Sequence, residues 1–450
     1  MAEAGVRPLL TPEDQRRSED RQHVVMARRG RHRLNLLWLL VGPGILVMLG
    51  ENDGPSMLSY ATTGATYGVG FFIPFIVVTF VAAVVVQEMA MRLGAVTHRG
   101  YGQLIFQRFG PVWGWISAGD LLLTNFVTLI TELIAVRVGM SFFGVPPVVA
   151  VAAGVGLVAI SVMGGRYWRW ERAALALGLF NLLFVAVAVI SRPDPAALGA
   201  ALTTWSPLPT GSLQVFLLLA ASNIGATVTP WMLFFQQSAV VDKGVTPRDI
   251  REGRIDTVVG AALAAAAGCA ALIAAAALFN HHIDPSRLQS GADFAAALRP
   301  IIGYPGAALF ALGLLEAGAL ATMTISASSA YALAEAIGGP RSFNRRLNEA
   351  PRFYLVNIGM AVVAGLVVLI PGAPLLSISL NANLLALILM PAAVVFLIML
   401  ASDRELMGPQ ANRPWLNWVA GTVAFLVALA GSAYAVVAVF SALTGHRLGA

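Results

Sequence analysis

Charge is what this sequence has least of. Of its 450 residues only 12% are Asp, Glu, Lys or Arg, while 58% are hydrophobic; a soluble domain carries roughly 25% charged residues to wet its surface. The mean hydropathy of +0.76 points the same way, and a soluble globular fold is excluded. Cysteine is nearly absent too. Cys269 stands alone, which rules out an intrachain disulfide, and within its Ala-rich run it reads as a small buried hydrophobe. No Walker loop, dinucleotide fingerprint or Cys/His zinc spacing is present, so an ATP-driven pump is not expected. Neither an enzymatic activity nor a resident cofactor is assigned. No short apolar core with a small-residue cleavage site precedes residue 34, so the first apolar segment is expected to be a retained span. The formal charge of +6 does not mark a nucleic-acid partner, because the basic residues lie between apolar runs rather than in one domain.

What is there is a succession of apolar runs, most of them of the length that crosses a bilayer. They fall near 35–64, 70–94, 113–141, 146–163, 171–191, 212–238, 257–280, 302–337, 353–371, 375–400 and 415–442. The chain is therefore read as an all-α polytopic membrane protein of eleven helices, a monomer whose standing partner is the lipid bilayer. Basic residues set its orientation. Eight Arg precede residue 34, and further clusters gather around Arg92, Arg166, Arg248, Arg345 and Arg404, at every second connection. The intervening connections hold only Arg192, Arg287 and Arg299, with Arg447 beyond the last span. The expected placement is the inner (plasma) membrane, with the N-terminus cytoplasmic and the C-terminus external.

Two spans are interrupted. The first reads Gly50-Glu51-Asn52-Asp53-Gly54-Pro55-Ser56 at its middle, and the sixth reads Asn223-Ile224-Gly225-Ala226-Thr227-Val228-Thr229-Pro230. Gly-Pro breaks the helical ladder, and polar or acidic residues at that depth are costly. Unwound backbone survives there only where protein or a hydrated cavity surrounds it. Breaks in the first and sixth spans are the spacing of two inverted five-helix repeats, each opening on a discontinuous helix, with a substrate site between the breaks. The expected organisation is an Arg-rich tail over 1–34, a first repeat over 35–191, a second over 212–400 and an eleventh helix over 415–442.

The same residues carry a resemblance. Gly42-Pro43-Gly44 followed by Gly50-Glu51-Asn52-Asp53-Gly54-Pro55-Ser56 resembles the first span of the NRAMP family of divalent-metal transporters, whose break reads Asp-Pro-Gly-Asn. Gln87 with Arg92-Leu93-Gly94-Ala95-Val96-Thr97 is similar to the end of its second span. Gly225-Ala226-Thr227-Val228-Thr229-Pro230 is similar to its sixth-span Gly-Ala-Thr-Val-Met-Pro-His, and Pro391 with Ser402-Asp403-Arg404-Glu405-Leu406-Met407-Gly408 to the close of its tenth. These four matches in order imply a LeuT-type fold and a metal-ion substrate. The departures are specific. Asp53 is kept, but Ser56 stands where Asn is usual; Thr229 replaces the family's Met and Trp231 its His. The tenth-span polar position falls on Asn383. Glu132 lies one position out of register with the family's third-span Glu.

By this resemblance the metal ligands are Asp53, Ser56, Thr229 and Asn383, with the backbone carbonyls of Gly50 and Ala226. A thioether favours Mn²⁺, Fe²⁺ or Cd²⁺ over Mg²⁺, and replacing it with Thr229 leaves an all-oxygen set suited to partly hydrated Mg²⁺. The pattern resembles the NRAMP-related magnesium transporters. Mg²⁺ uptake without obligatory proton coupling therefore stands first, since Trp231 cannot titrate as His does. A proton-coupled Mn²⁺ or other transition-metal importer is the alternative, followed by a LeuT-type carrier of an organic solute or a non-transporting receptor on the same scaffold. Glu51 is read either as a second carboxylate near the ion or as a vestibule charge. Glu132 has Arg137 as a partner within reach on its own span. Glu88 and Asp120 read as span-end charges or helix–helix hydrogen bonds, and Glu316 has no assigned role. Thr322, Thr324 and Ser326 are expected to bond helix backbone, and Trp168 and Trp170 to anchor at the membrane interface.

Overall fold

The computed structural model describes residues 41–372 and 375–444, with residues 18, 19, 21, 22 and 26. Most of the tail over 1–34, the start of the span over 35–64 and the last residues of the chain lie outside the described residues. Every regular element among the described residues is helical. Two short helices, α1 (Pro43–Glu51) and α2 (Gly54–Tyr67), succeed one another at the first span. After them come α3 (Phe72–Thr97), α4 (Tyr101–Phe109), α5 (Pro111–Ser141), α6 (Pro147–Ser161), α7 (Tyr167–Gly178), α8 (Leu183–Ile190) and α9 (Pro195–Thr204). The second half holds α10 (Leu213–Gly225), α11 (Pro230–Lys243), α12 (Ile250–Asn280), α13 (Gly291–Ala336), α14 (Pro351–Val368), α15 (Leu375–Ser402), α16 (Arg404–Met407) and α17 (Pro414–Thr444). Taking α7 with α8 and α10 with α11, ten stretches of described residues are long and apolar enough to cross a membrane. The α1–α2 pair is the discontinuous first span beside them.

Proline starts many of these helices: Pro43, Pro55, Pro111, Pro147, Pro230 and Pro351 each sit in a first turn, where a missing N–H costs nothing. Several helices are longer than their apolar stretches. α12 begins at Ile250 because Arg251, Glu252 and Arg254 are helical though polar. α13 runs back to Gly291 through a kink at Gly303, whose φ of 74° lies between Pro300 and Pro305. The span over 171–191 is interrupted at Leu179–Leu182 by a 3-10 turn that carries Asn181.

α12 lies along both α1 and α2 and holds the start of α1. The Asp256 carboxylate accepts from the backbone N–H groups of Gly42 (3.0 Å), Gly44 (2.6 Å) and Ile45 (3.2 Å), so an acid from a distant helix caps the first turn. Beside it Lys243 donates to the Val41 carbonyl at 2.8 Å and pairs with Glu171 at 2.6 Å, with both side chains buried. Trp168 and Trp170 correct the interface-anchor expectation. Both are buried: the Trp168 ring faces the Lys243 ammonium at 5.3 Å, and Trp170 stacks on Phe343 at 4.8 Å. Trp168 covers the ion pair and Trp170 joins an internal aromatic cluster, so neither anchors at the lipid boundary.

α15 crosses close to α10, and the crossing requires Gly225, where any Cβ would run into the Asn383 carbonyl oxygen. Gly225→Ala is expected to lower stability by about 1–3 kcal/mol through overpacking. Gly156→Ala, where a Cβ meets nothing within 4 Å, should not lower it. Thermal unfolding of the two variants in the same detergent checks this, and equal melting temperatures would remove the close crossing.

Candidate metal site

The first break is two residues long. α1 ends at Glu51, Asn52 leaves helical geometry, and Asp53 is extended (φ −74°, ψ 177°). Asp53 is the N-cap of α2: its Oδ1 accepts from the Ser56 N–H at 2.9 Å. Ser56, expected within the unwound stretch, is instead in the first turn of α2, because Pro55 starts that helix. The second break spans Ala226 to Thr229. Ala226 terminates α10, and Thr229 is extended (φ −121°, ψ 153°) ahead of Pro230.

The two breaks adjoin. Thr229 Oγ1 donates to Glu51 Oε2 at 2.9 Å, and the Tyr60 hydroxyl donates to the Ala226 carbonyl at 3.2 Å. One turn further on, Ser59 donates to Asn223 Oδ1 at 2.8 Å and Asn223 Nδ2 donates to Thr63 at 2.9 Å. The half-helices of the two spans are thus laced together by side chains. Gly50 sits in the last turn of α1, against Trp231 and Thr324, where helix carbonyls lack an intrahelical donor. Asn383 reaches the site's edge through its backbone against Gly225, and its buried Nδ2 has no hydrogen-bond partner.

A third helix completes the cluster. The first N–H of α2, that of Gly54, donates to Glu132 Oε2 on α5 at 2.9 Å, which brings that carboxyl beside the residue that follows Asp53. Gly54 permits this, since a Cβ there would collide with Ala135. Arg137 is not the partner of Glu132: its Nη1 donates to the Val368 carbonyl at 2.8 Å, at the end of α14. Three buried acids, Glu51, Asp53 and Glu132, therefore gather at one break, and Glu51 Oε1, Glu132 Oε1 and Ser56 Oγ have no partner there. A sulfur is present too. Met232 turns back so that its Sδ accepts from the Thr229 N–H at 3.4 Å. Among the described residues no three His, Cys, Asp or Glu side chains form a ready-made metal cluster, so any ion held here would also need neutral donors.

A second polar chain leaves the same break on its other side. Asn52 Nδ2 donates to the Ala264 carbonyl (2.7 Å) and to Asn181 Oδ1 (3.0 Å), and Asn181 Nδ2 donates to Glu316 Oε2 (3.2 Å). Asn181, a lone amide in an apolar span, was the available signal for this chain. Thr322, Thr324 and Ser326 bond carbonyls of their own helix. Glu88 bridges Arg92 and Arg254.

This arrangement, two facing broken helices within a helical membrane bundle, is that of LeuT-type membrane proteins, two inverted five-helix repeats with an eleventh helix. The fold matches the Eremococcus coleocola manganese transporter with a TM-score of 0.73 at 21% identity, covering 88% of this chain and 86% of that one. It also matches MhsT, solved with L-phenylalanine, with a TM-score of 0.58 at 14% identity, covering 88% of this chain and 97% of that one. The description of the family "Natural resistance-associated macrophage protein-like" (Nramp) matches residues 44–437, and the chain belongs to that family. Relatives include the Divalent metal cation transporter MntH 1 of Pseudomonas aeruginosa, 29% identical over 418 residues, 88% of this chain and 91% of that protein. The MntH of Listeria innocua is 26% identical over 404 residues, 87% of this chain and 88% of that protein.

Asn caps a helix about as well as Asp. Asp53→Asn is therefore expected to fold with a melting temperature near that of the parent, and Asp53→Ala to lose about 1 kcal/mol with its cap. Unfolding curves for both variants check the capping role, and an Asn variant no more stable than the Ala one would contradict it.

Proposed function

We propose that this chain carries a divalent metal ion across the membrane through the facing breaks of its first and sixth spans, with Mn²⁺ preferred and protons coupled to its movement. The observation that carries the reading is the convergence of Glu51, Asp53 and Glu132, with two carboxylate oxygens and the Ser56 hydroxyl left without partners. An uncompensated buried carboxylate costs several kcal/mol, and a divalent cation offsets two such charges at once. Asp53, Ser56, Thr229, Asn383 and the carbonyls of Gly50 and Ala226 are the proposed ligands, with Glu51 and Glu132 as flanking acids. The relatives are named for divalent metal cations and for manganese, which supports the same reading.

Sequence alone favours Mg²⁺, on an all-oxygen donor set. The Met232 thioether beside Thr229 shifts the balance, because sulfur adds affinity for the softer ion and little for Mg²⁺. Mg²⁺ remains a second reading, supported by the oxygen character of every other donor and by the need for a partly hydrated ion. The gathering of three buried acids bears on coupling: Glu132 bonds the N–H of Gly54, next to Asp53, and Thr229 bonds Glu51 on the other side of the break. Like charges gathered this closely are costly, so a proton on one of them balances the empty site and an arriving ion displaces it. The uncoupled transport expected from sequence is the competing reading, supported by Trp231 standing where a titratable His is usual. The proposed setting is the inner membrane, as a monomer with its N-terminal side in the cytosol, where the Arg clusters favour it.

Uptake into proteoliposomes containing a pH dye tests both parts. Mn²⁺ entry is expected to acidify the lumen and to outcompete Mg²⁺, and Asp53→Asn to lower uptake by about ten- to a hundredfold, the scale of losing a metal-site group. Mn²⁺ uptake at the parental rate in Asp53→Asn places the ion elsewhere. Met232→Leu keeps volume and removes the sulfur, so the Mn²⁺-over-Mg²⁺ preference should fall about tenfold; an unchanged ratio denies the thioether its role.

A further inference from the structure

A cavity of about 620 Å³ opens where α3, the start of α12 and the start of α17 meet, lined by no residue of either break. Its polar wall holds Arg92, Arg254 and Arg413 with the single carboxylate Glu88. Glu88 is shared: Arg92 Nε lies 3.1 Å and Arg254 Nε 2.8 Å from its Oε1. Arg92 is buried and also donates to the Gln410 carbonyl and to Asn412 Oδ1 (2.6 Å). Arg413 is exposed and forms no ion pair with a described acid. One acid among three guanidinium groups leaves an excess of positive charge at the mouth.

Apart from Gln410 the rest of the cavity is apolar, and its apolar side continues outward along one helix. Val77, Val81, Val84, Glu88 and Arg92 recur on α3 at intervals of three and four residues, which places them on one face. Val77 and Val81 are 40% and 60% exposed, so in a bilayer they face acyl chains. Val84 and Val85 enter the cavity, where Leu416 and Trp415 form the opposite wall, with Trp415 at the rim. An aliphatic stripe running into a basic pocket beside an interfacial Trp is complementary to an amphiphile with a negative head.

We propose that this pocket binds an anionic phospholipid, with its phosphate between Arg413 and Arg254 and one acyl chain along the α3 valine stripe. Guanidinium forks suit phosphate oxygens in pairs, and both Arg254 and Arg413 present their side chains to the cavity. A lipid seated there touches three helices remote from one another in sequence, including the end of α12 whose Asp256 holds the start of α1.

Native mass spectrometry of the detergent-purified chain, titrated with phosphatidylglycerol and with phosphatidylcholine of the same acyl chains, tests this. Phosphatidylglycerol should be retained about tenfold better, and Arg413→Gln and Arg254→Gln should each weaken its retention about fivefold. Arg192→Gln, outside the pocket, should change nothing, and Val84→Asp should weaken retention of the lipid through its chain. Equal retention of the two lipids overturns the proposal, as does undiminished phosphatidylglycerol retention in the Arg254/Arg413 double variant. Displacement of the lipid by soluble glycerol 3-phosphate at equal concentration also overturns it, by showing that an ion alone fills the site.

Discussion

Inside a bilayer, a backbone N–H or C=O that leaves its helix has no water to turn to, and each one left alone costs several kcal/mol. The first span pays this cost at Asn52 and Asp53, and the surrounding structure is arranged to meet it. Asp53 takes the Ser56 N–H, Glu132 takes the Gly54 N–H from another helix, and Asn181 Nδ2 donates to the Asn52 carbonyl at 3.5 Å. The sixth span meets its own through Tyr60, which caps the Ala226 carbonyl. Each solution brings in a further polar side chain, so the breaks accumulate acids and amides that a continuous helix would never gather at that depth.

The same constraint fixes the neighbouring helices. α5 can supply Glu132 only by approaching α2 at Gly54, and α15 can bring Asn383 up only by crossing α10 at Gly225. α12 positions α1 by capping it with Asp256. The Lys243–Glu171 pair, buried under Trp168, fastens the same end. A charge pair this deep is weak evidence for stability in itself; its effect is to fix where α1 begins, and so where Glu51 and Asp53 end up.

The breaks were legible because their signals are local: Gly-Pro beside Asn and Asp in one span, and Gly with Pro beside Thr in another. What closes around them was not. Asp256 reaches Gly44, Glu132 reaches Gly54 and Asn181 reaches Asn52 across wide separations in sequence, and nothing in the composition of one helix says which other helix it will face. Glu132 was within sight, but Arg137, one turn away on its own helix, looked the closer partner; the fold sends Arg137 to the end of α14 instead. Met232 escaped notice as a donor because it follows the break by three residues, and only the turn of Thr229 and Pro230 brings its sulfur back.

Transport through the facing breaks requires an ion seated between them. Crystals grown with Mn²⁺ and measured at the manganese absorption edge locate that ion without reference to activity. The expected result is an anomalous peak in direct contact with the Asp53 carboxylate and facing the Ala226 carbonyl, absent when Asp53 is Asn. A peak beside Glu316, or anywhere that does not touch Asp53, would contradict it.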